Sequence, residues 1–276
     1  MKRPGRVETL PLSRIGTLDV GVIGRRKHHV MGLLEIDVTD ARERLRAMRR
    51  AGASVSFTTW FVKSVAECVA EMPEVHGVLQ GRRRRMVFEE VDISLMVERL
   101  VEGTAVPLPL VLRDCRNKGM EEIESEITRA REQPVEGMAD YVLRRRRSPQ
   151  LMRLFYSLPQ AVRVWIMARI LRNAERRKET MGTVMITSLA GGLRFPGWIV
   201  PKSMHNLVFA LGSVVSKPAV VGNRVLPRHV LHLTVLVDHD VVDGAPAARF
   251  VSRLVTRLET ESGSLRAKGS FHGVGP

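Results

Sequence analysis

The sequence predicts an α/β or α+β domain built on one large sheet. Strand-like and helix-like runs are mixed along 276 residues, enough for one large domain or two small ones. Hydrophobic residues make up 44%, ordinary for a chain that buries a core. Long β-rich runs return after a helical middle, which points to a large sheet carrying helices.

The elements follow in order. "HHVMGLLEIDV" (28–38) reads as a strand, and "TDARERLRAMRRAG" (39–52) as a capped helix ending at Gly52. "SFTTWFVKSVAECVAEMP" (56–73) repeats apolar residues at helical spacing and stops at Pro73. "GVLQ", "RMVFEE" and "VDISLMVERL" read as short strands between 77 and 100. "VPLPLVLRDC" (106–115) is extended, because Pro107 and Pro109 forbid helix. "GMEEIESEITRARE" (119–132) is a helix. Pro149 and Pro159 suit helix starts, so 149–157 and 159–178 read as two helices. Strands are expected at 183–190, 207–215, 219–226 and 230–238, with a hairpin turn at Gly222-Asn223. A last helix spans about 244–261. The domain layout is then an N-terminal arm (1–27), a main domain (28–262) with a helical insertion (134–181), and a flexible tail (263–276).

Composition narrows the classes. Cys68 and Cys115 make neither a metal spacing nor a disulfide framework, and the basic N-terminus lacks the apolar core of a secretory signal. A reducing, cytoplasmic setting is expected. No apolar run reaches the ~18 residues of a spanning helix. The net charge of +15 favours anionic partners. Aromatic residues are only 5%, so stacking platforms are scarce, and no nucleic-acid motif is present. Nucleic acid is therefore not an expected partner. The arginine runs at 82–85 and 144–147 read as solvated turns or helix ends.

Chemistry gathers in "DHDVVDG" (238–244), between a strand-like and a helix-like run. A histidine and carboxylates in such a turn can serve acid–base work. A plainer reading is available, with Asp243 as a helix N-cap and Gly244 relaxing the turn. His28, His29, His205, His229 and His232 offer no helical ligand pair, so no metal is expected.

"LTVLVDHDVVDGAPAARFVSRL" closely resembles the C-terminal signature of dihydrolipoyl acyltransferases of 2-oxo acid dehydrogenase complexes, whose corner has the form DHRxxDG. "GTVMITSLAG" (182–191) is similar to the family's GTFTISNLG strand, and "LVFALGSVVSKPAVVGNRV" to a later segment. "SFTTWFVKSVAECVAEMPEVHGVL" and "VPLPLVLRDCRNKGMEEIESEI" match the family's middle portion in pattern. The likeness covers roughly residues 28–132 and 182–260.

The resemblance implies a chloramphenicol acetyltransferase-like mixed sheet flanked by helices, here with an inserted helical pair. It implies a homotrimer or an assembly of trimers, with the active site between subunits. Acyl-coenzyme A would be a substrate, and the acceptor a dihydrolipoyl-like thiol or a small hydroxyl or amine compound. His239 would be the general base, Thr187 the oxyanion donor with Ser188 in reserve, and Asp243 the anchor of the turn. Arg25 and Arg26 are candidate partners for Asp243. No residue is assigned to coenzyme A.

Three departures stand out. Asp240 replaces the arginine after the histidine, and a carboxylate close to an imidazole favours its cation. No lipoyl or partner-docking domain precedes the likeness, so a lipoyl group would come in trans from another protein. The stretch 134–181 exceeds the family's loop by roughly thirty residues. Its second helix mixes Val162, Trp165, Ile166, Ile170 and Leu171 with Arg163, Arg169, Arg172, Arg176 and Arg177. It reads either as an anionic-membrane or partner surface (149–178), or as a pair packed on its own assembly. Asp240 and the insertion also leave an alternative to the enzyme, an inactive trimeric scaffold.

Overall fold

A computed structural model describes residues 5, 7, 12–81, 83–101, 104–132, 148–189 and 195–260. The expected tail at 263–276 and the arginine run 144–147 lie outside the described residues. In chain order the elements are α1 (Leu12–Gly24), β1 (His29–Asp37), α2 (Thr39–Arg50) and α3 (Phe57–Glu71). Next come a 3-10 turn (Pro73–His76), β2 (Val78–Gln80), β3 (Arg84–Met86), β4 (Ile93–Val101), β5 (Thr104–Leu112) and α4 (Met120–Glu132). The insertion holds α5 (Pro149–Ser157), α6 (Gln160–Leu171) and α7 (Ala174–Met181). The chain closes with β6 (Val184–Ser188), β7 (Leu207–Val221), β8 (Arg224–Asp238) and α8 (Gly244–Glu259).

Six strands form a mixed sheet in the order β1-β8-β7-β6-β4-β5. β6 runs parallel to both neighbours, and the other pairings are antiparallel. β5 lies at an edge, which suits Pro107 and Pro109. Two residues apart, they turn their missing N–H groups to the same open side. The three strands expected from 207 to 238 merge into two of 15 residues each, β7 and β8. Pro218 and Pro227 face each other across this hairpin instead of ending it. Gly222 makes the turn with φ of 61°, a conformation open to glycine at no steric cost.

Alternation along the central strands sends Val184, Ile186, Leu207, Phe209, Leu211, Leu233, Val235 and Val237 into one core. Residues of α2, α3, α4 and α8 cover that face. α8 buries Phe250, Leu254 and Leu258, four apart on one stripe. At its rim Arg257 binds Glu67 at 2.6 Å and Arg253 binds Glu71 at 2.7 Å, tying α8 to α3. Cys115 is fully buried, and burial pushes its thiol up to about 12.

The helical layer differs from its expectation. The segment read as an N-terminal arm contains α1. The helix expected over 159–178 breaks in two at Asn173, whose Oδ1 accepts from the Arg176 N–H at 2.9 Å and starts α7. Nor is the second helix a simple apolar-inside stripe. Arg163 and Val164 are buried while Trp165 is exposed. The Arg163 guanidinium meets Asp19 of α1 through Nε at 2.7 Å and Nη2 at 3.0 Å.

Candidate active site at the β8–α8 corner

The corner is held first by its backbone. The Asp238 carbonyl accepts from the N–H groups of Val241 and Val242, at 2.9 and 3.1 Å. The Val241 and Val242 side chains are buried in the core, which pins the turn from below. The His239 N–H donates to the His28 carbonyl at 2.8 Å. Arg85 donates from Nη1 to the Val241 carbonyl at 2.7 Å. That arginine belongs to the run read as a solvated turn. Its stem passes so close to Gly77 that a Cβ there would sit 2.8 Å from Arg85 Cδ.

The His239 ring is half-buried and stacks on His28, with ring centroids 5.4 Å apart and planes 30° from parallel. Among the described residues neither ring nitrogen of His239 has a hydrogen-bond partner. Asp240 is turned to His28 instead, with Oδ1 3.4 Å from His28 Nδ1. The Asp240 carboxylate thus lies beside His28.

Beneath the turn lies a polar cluster that sequence reasoning missed. Lys27 Nζ donates to Asp238 Oδ2 and to Asn206 Oδ1, both at 2.6 Å. Arg177 Nη2 donates to the same Asn206 oxygen at 2.8 Å and to the Met204 carbonyl at 2.5 Å. Asn206 returns its amide N–H to the Gly77 carbonyl at 2.6 Å. Asp238 is 1% exposed, and its Oδ1 is buried with no partner among the described residues. Burial, joined by the Arg177 charge, draws the Lys27 ammonium below its usual range against the pull of Asp238. Burial likewise lowers Arg177 to about 10, with Asp238 opposing. Lys27 is therefore paired with a buried carboxylate whose charge also acts on Arg177. Asp238 stood inside the quoted motif, but its partners come from sites 27, 177 and 206, and no local spacing joins them.

Two further imidazoles are held neutral nearby. His205 donates from Nε2 to the Met181 carbonyl at 2.8 Å, and burial lowers it to about 3. His76 donates from Nε2 to the Phe88 carbonyl at 3.0 Å, and burial lowers it to about 4. Among the described residues no group of three His, Cys, Asp or Glu is placed to hold a metal ion.

The remaining candidates are placed as follows. Asp243 occupies the N-cap position of α8 and is exposed, yet its side chain makes no cap bond. Among the described residues neither Arg25 nor Arg26 pairs with it; the cation that enters the corner is Lys27, and it goes to Asp238. Thr187 and Ser188 end β6, and both are half-buried. Alternation puts Thr187 on the face opposite Val184 and Ile186, and Ser188 on their side.

The structure does not bring His239 and these hydroxyls together within one chain. Val184, Leu207 and Val237 share one row across β6, β7 and β8. Thr187 lies three residues to one side of that row, and His239 two residues to the other. At ~3.3 Å per residue this is roughly 17 Å along the strands, with two strand spacings of ~4.8 Å besides.

Comparison with known proteins gives this geometry its context. The family model described as 2-oxoacid dehydrogenases acyltransferase (catalytic domain) matches residues 26–139 and 171–265. The unmatched stretch between them, 140–170, falls inside the expected insertion. The dihydrolipoyllysine-residue acetyltransferase component of the pyruvate dehydrogenase complex of Corynebacterium glutamicum is 23% identical over 240 residues, covering 83% of this chain and 30% of that protein. The chain spans 30% and 41% of the first two curated relatives, less than half of either.

Among solved structures, the cubic core of the pyruvate dehydrogenase multienzyme complex superposes with a TM-score of 0.66 at 18% identity, covering 95% of each chain. Dihydrolipoamide acetyltransferase of Azotobacter vinelandii gives 0.68 at 18% identity, again covering 95% of each. Chloramphenicol acetyltransferase gives 0.51 at 14%, covering 91% of this chain and 99% of that one. The expected chloramphenicol acetyltransferase-like fold is therefore the observed one. Matched by the family model over most of its length, the chain belongs to the 2-oxoacid dehydrogenase acyltransferases, as a catalytic domain of that family.

Proposed function

We propose that the chain transfers an acyl group between acyl-coenzyme A and a thiol acceptor of the dihydrolipoyl kind. The observation that carries this reading is the His239 corner, a half-buried imidazole with unengaged nitrogens on a rigid turn, in a chain of this family. A neutral imidazole with a free ring nitrogen can accept a proton, and a thiol must lose one to become the thiolate nucleophile.

His239 takes the proton of the acceptor thiol as its sulfur bonds to the thioester carbonyl carbon. The oxyanion so formed accepts a hydrogen bond from the Thr187 hydroxyl. When the intermediate collapses, the bond to coenzyme A breaks, and the leaving sulfur recovers the proton from His239. Asp243, which makes no cap bond to α8, is assigned no proton transfer in this scheme, and Ser188 is the reserve donor.

Spacing supports these assignments. In the A. vinelandii enzyme, a serine, a histidine and an asparagine were investigated for their role in the catalytic mechanism. The serine precedes the histidine there by fifty-two positions, the separation of Thr187 and His239 here, and the asparagine follows by four, the place of Asp243. The long separation of Thr187 from His239 within one chain supports a site shared between two copies, as in a trimer or a larger assembly of trimers.

The test uses acetyl-coenzyme A and reduced lipoamide, with the acyl-lipoamide product followed by chromatography. His239→Ala should slow turnover by about 10²- to 10⁴-fold. Thr187→Val should lower kcat, and Thr187→Ser should restore most of it. Equal rates for His239→Ala and the parent protein would overturn the enzyme reading and favour a scaffold of the same fold.

A further inference from the structure

We propose that α5 and α6 form a surface that docks on anionic lipid, a bilayer face bearing phosphate headgroups. The inference does not rest on the acyl-transfer reading. These two helices fill 149–171, nearly all of it in the stretch that the family model leaves unmatched.

Their inner sides are already used. α5 buries Met152 and Tyr156, and α6 buries Arg163 and Val164. The buried Arg163–Asp19 pair fastens α6 to α1, which also precedes the matched residues. What remains faces outward. Leu151 and Leu154 are 61% and 63% exposed, and Val162 and Trp165 are 40% and 67% exposed. Each pair is three residues apart, so each helix shows a two-residue apolar ridge to solvent.

Charge selects the occupant. Residues 148–173 contain no Asp or Glu, and Arg153, Arg169 and Arg172 are exposed among them. Arg169 lies beyond Val162 and Trp165 on the same side of α6. Four more arginines, 144–147, precede the stretch in sequence. A second copy of this face would set arginine against arginine with no carboxylate from these helices to answer. An anionic headgroup layer answers the arginines, while tryptophan and leucine enter the boundary beneath it. Among the described residues no helix is long and apolar enough to cross a membrane, so the contact is one that lies on the surface.

The test is flotation of the full chain with phosphatidylcholine vesicles, with and without about 30 mol% phosphatidylglycerol. The protein should float only with the anionic vesicles, and less so as salt rises. Replacing Arg153, Arg169 and Arg172 together by Gln should weaken partitioning by about a hundred-fold. Leu154→Ser with Trp165→Ser should abolish it even at low salt. Thermal midpoint and oligomeric state should match the parent in both variants. Equal flotation with neutral vesicles, or none with either, would overturn the proposal. So would a change of oligomeric state in the variants, which would make the face a contact between copies.

Discussion

The β8–α8 corner and the α5–α6 layer are both rich in charge, and they spend it in opposite ways. At the corner Lys27 bonds both Asp238 and Asn206, and Arg177 turns inward to the same Asn206 oxygen. On the outer helices Arg153, Arg169 and Arg172 are exposed, and nothing on their own helices neutralises them. A buried charge must be answered within the fold, so it fixes geometry. An exposed one costs little and is free to meet a partner. The same arginine-rich segment supplies both kinds, with Arg177 inside and Arg172 outside.

The sharpest contrast should appear in activity. His239→Ala should cost 10²- to 10⁴-fold in turnover, on the order of 3–5 kcal/mol of barrier. It should leave the unfolding midpoint nearly unchanged, because the ring is half-exposed and makes no hydrogen bond among the described residues. Arg172→Gln should change neither. Steady-state rates and urea melts on the two variants check this directly.

Stability should divide the regions next. Asp238→Ala leaves the Lys27 ammonium without its buried carboxylate and should cost about 3–5 kcal/mol. Arg169→Gln, on the exposed side of α6, should stay within about 0.5 kcal/mol. Urea midpoints that shift equally would show that the buried cluster is not a structural tie.

Acid should act through the interior. His76 and His205 stay neutral in the fold down to about 4 and about 3. The unfolded chain protonates both below ~6.5, so it binds more protons and stability falls as pH drops. By pH 5 each should have cost about 2 kcal/mol, with further loss toward pH 4. The effect should be absent above pH 7. A thermal midpoint that is flat from pH 7.5 to 5 would count against buried neutral imidazoles.

The smallest effect belongs to His28, which stacks on His239. His28→Ala removes the ring stacked on His239 and the partner of Asp240. Turnover should fall roughly three- to ten-fold with KM little changed, since only the orientation of the imidazole is loosened. An unchanged kcat would leave His28 as a surface residue only.

The sheet and its helical cover were legible because their signals are local. Helical apolar spacing marks α3, alternation marks β1, and Gly222-Asn223 marks the hairpin. The corner was legible because His239, Asp243 and Gly244 sit in one short motif. What stayed hidden depends on apposition. Lys27, Asn206 and Asp238 meet across 211 residues, and no window of sequence holds them together. Arg163 stood among the other arginines of its helix, and only the fold puts Asp19 opposite it. α1 escaped notice because Gly16, Gly21 and Gly24 weaken its helical signal. The split between α6 and α7 had a usable cue in Asn173, a good N-cap within a helix-like run.

The proposed site is assembled from two copies, with His239 from one and the Thr187 hydroxyl from another. The direct measurement is complementation. His239→Ala and Thr187→Val chains, each nearly inactive alone, are co-expressed and assayed as mixed assemblies. Random mixing in a closed head-to-tail ring should restore about a quarter of the parental turnover, because one junction in four pairs an intact histidine with an intact threonine. Mixed assemblies no more active than either variant alone would contradict the shared site.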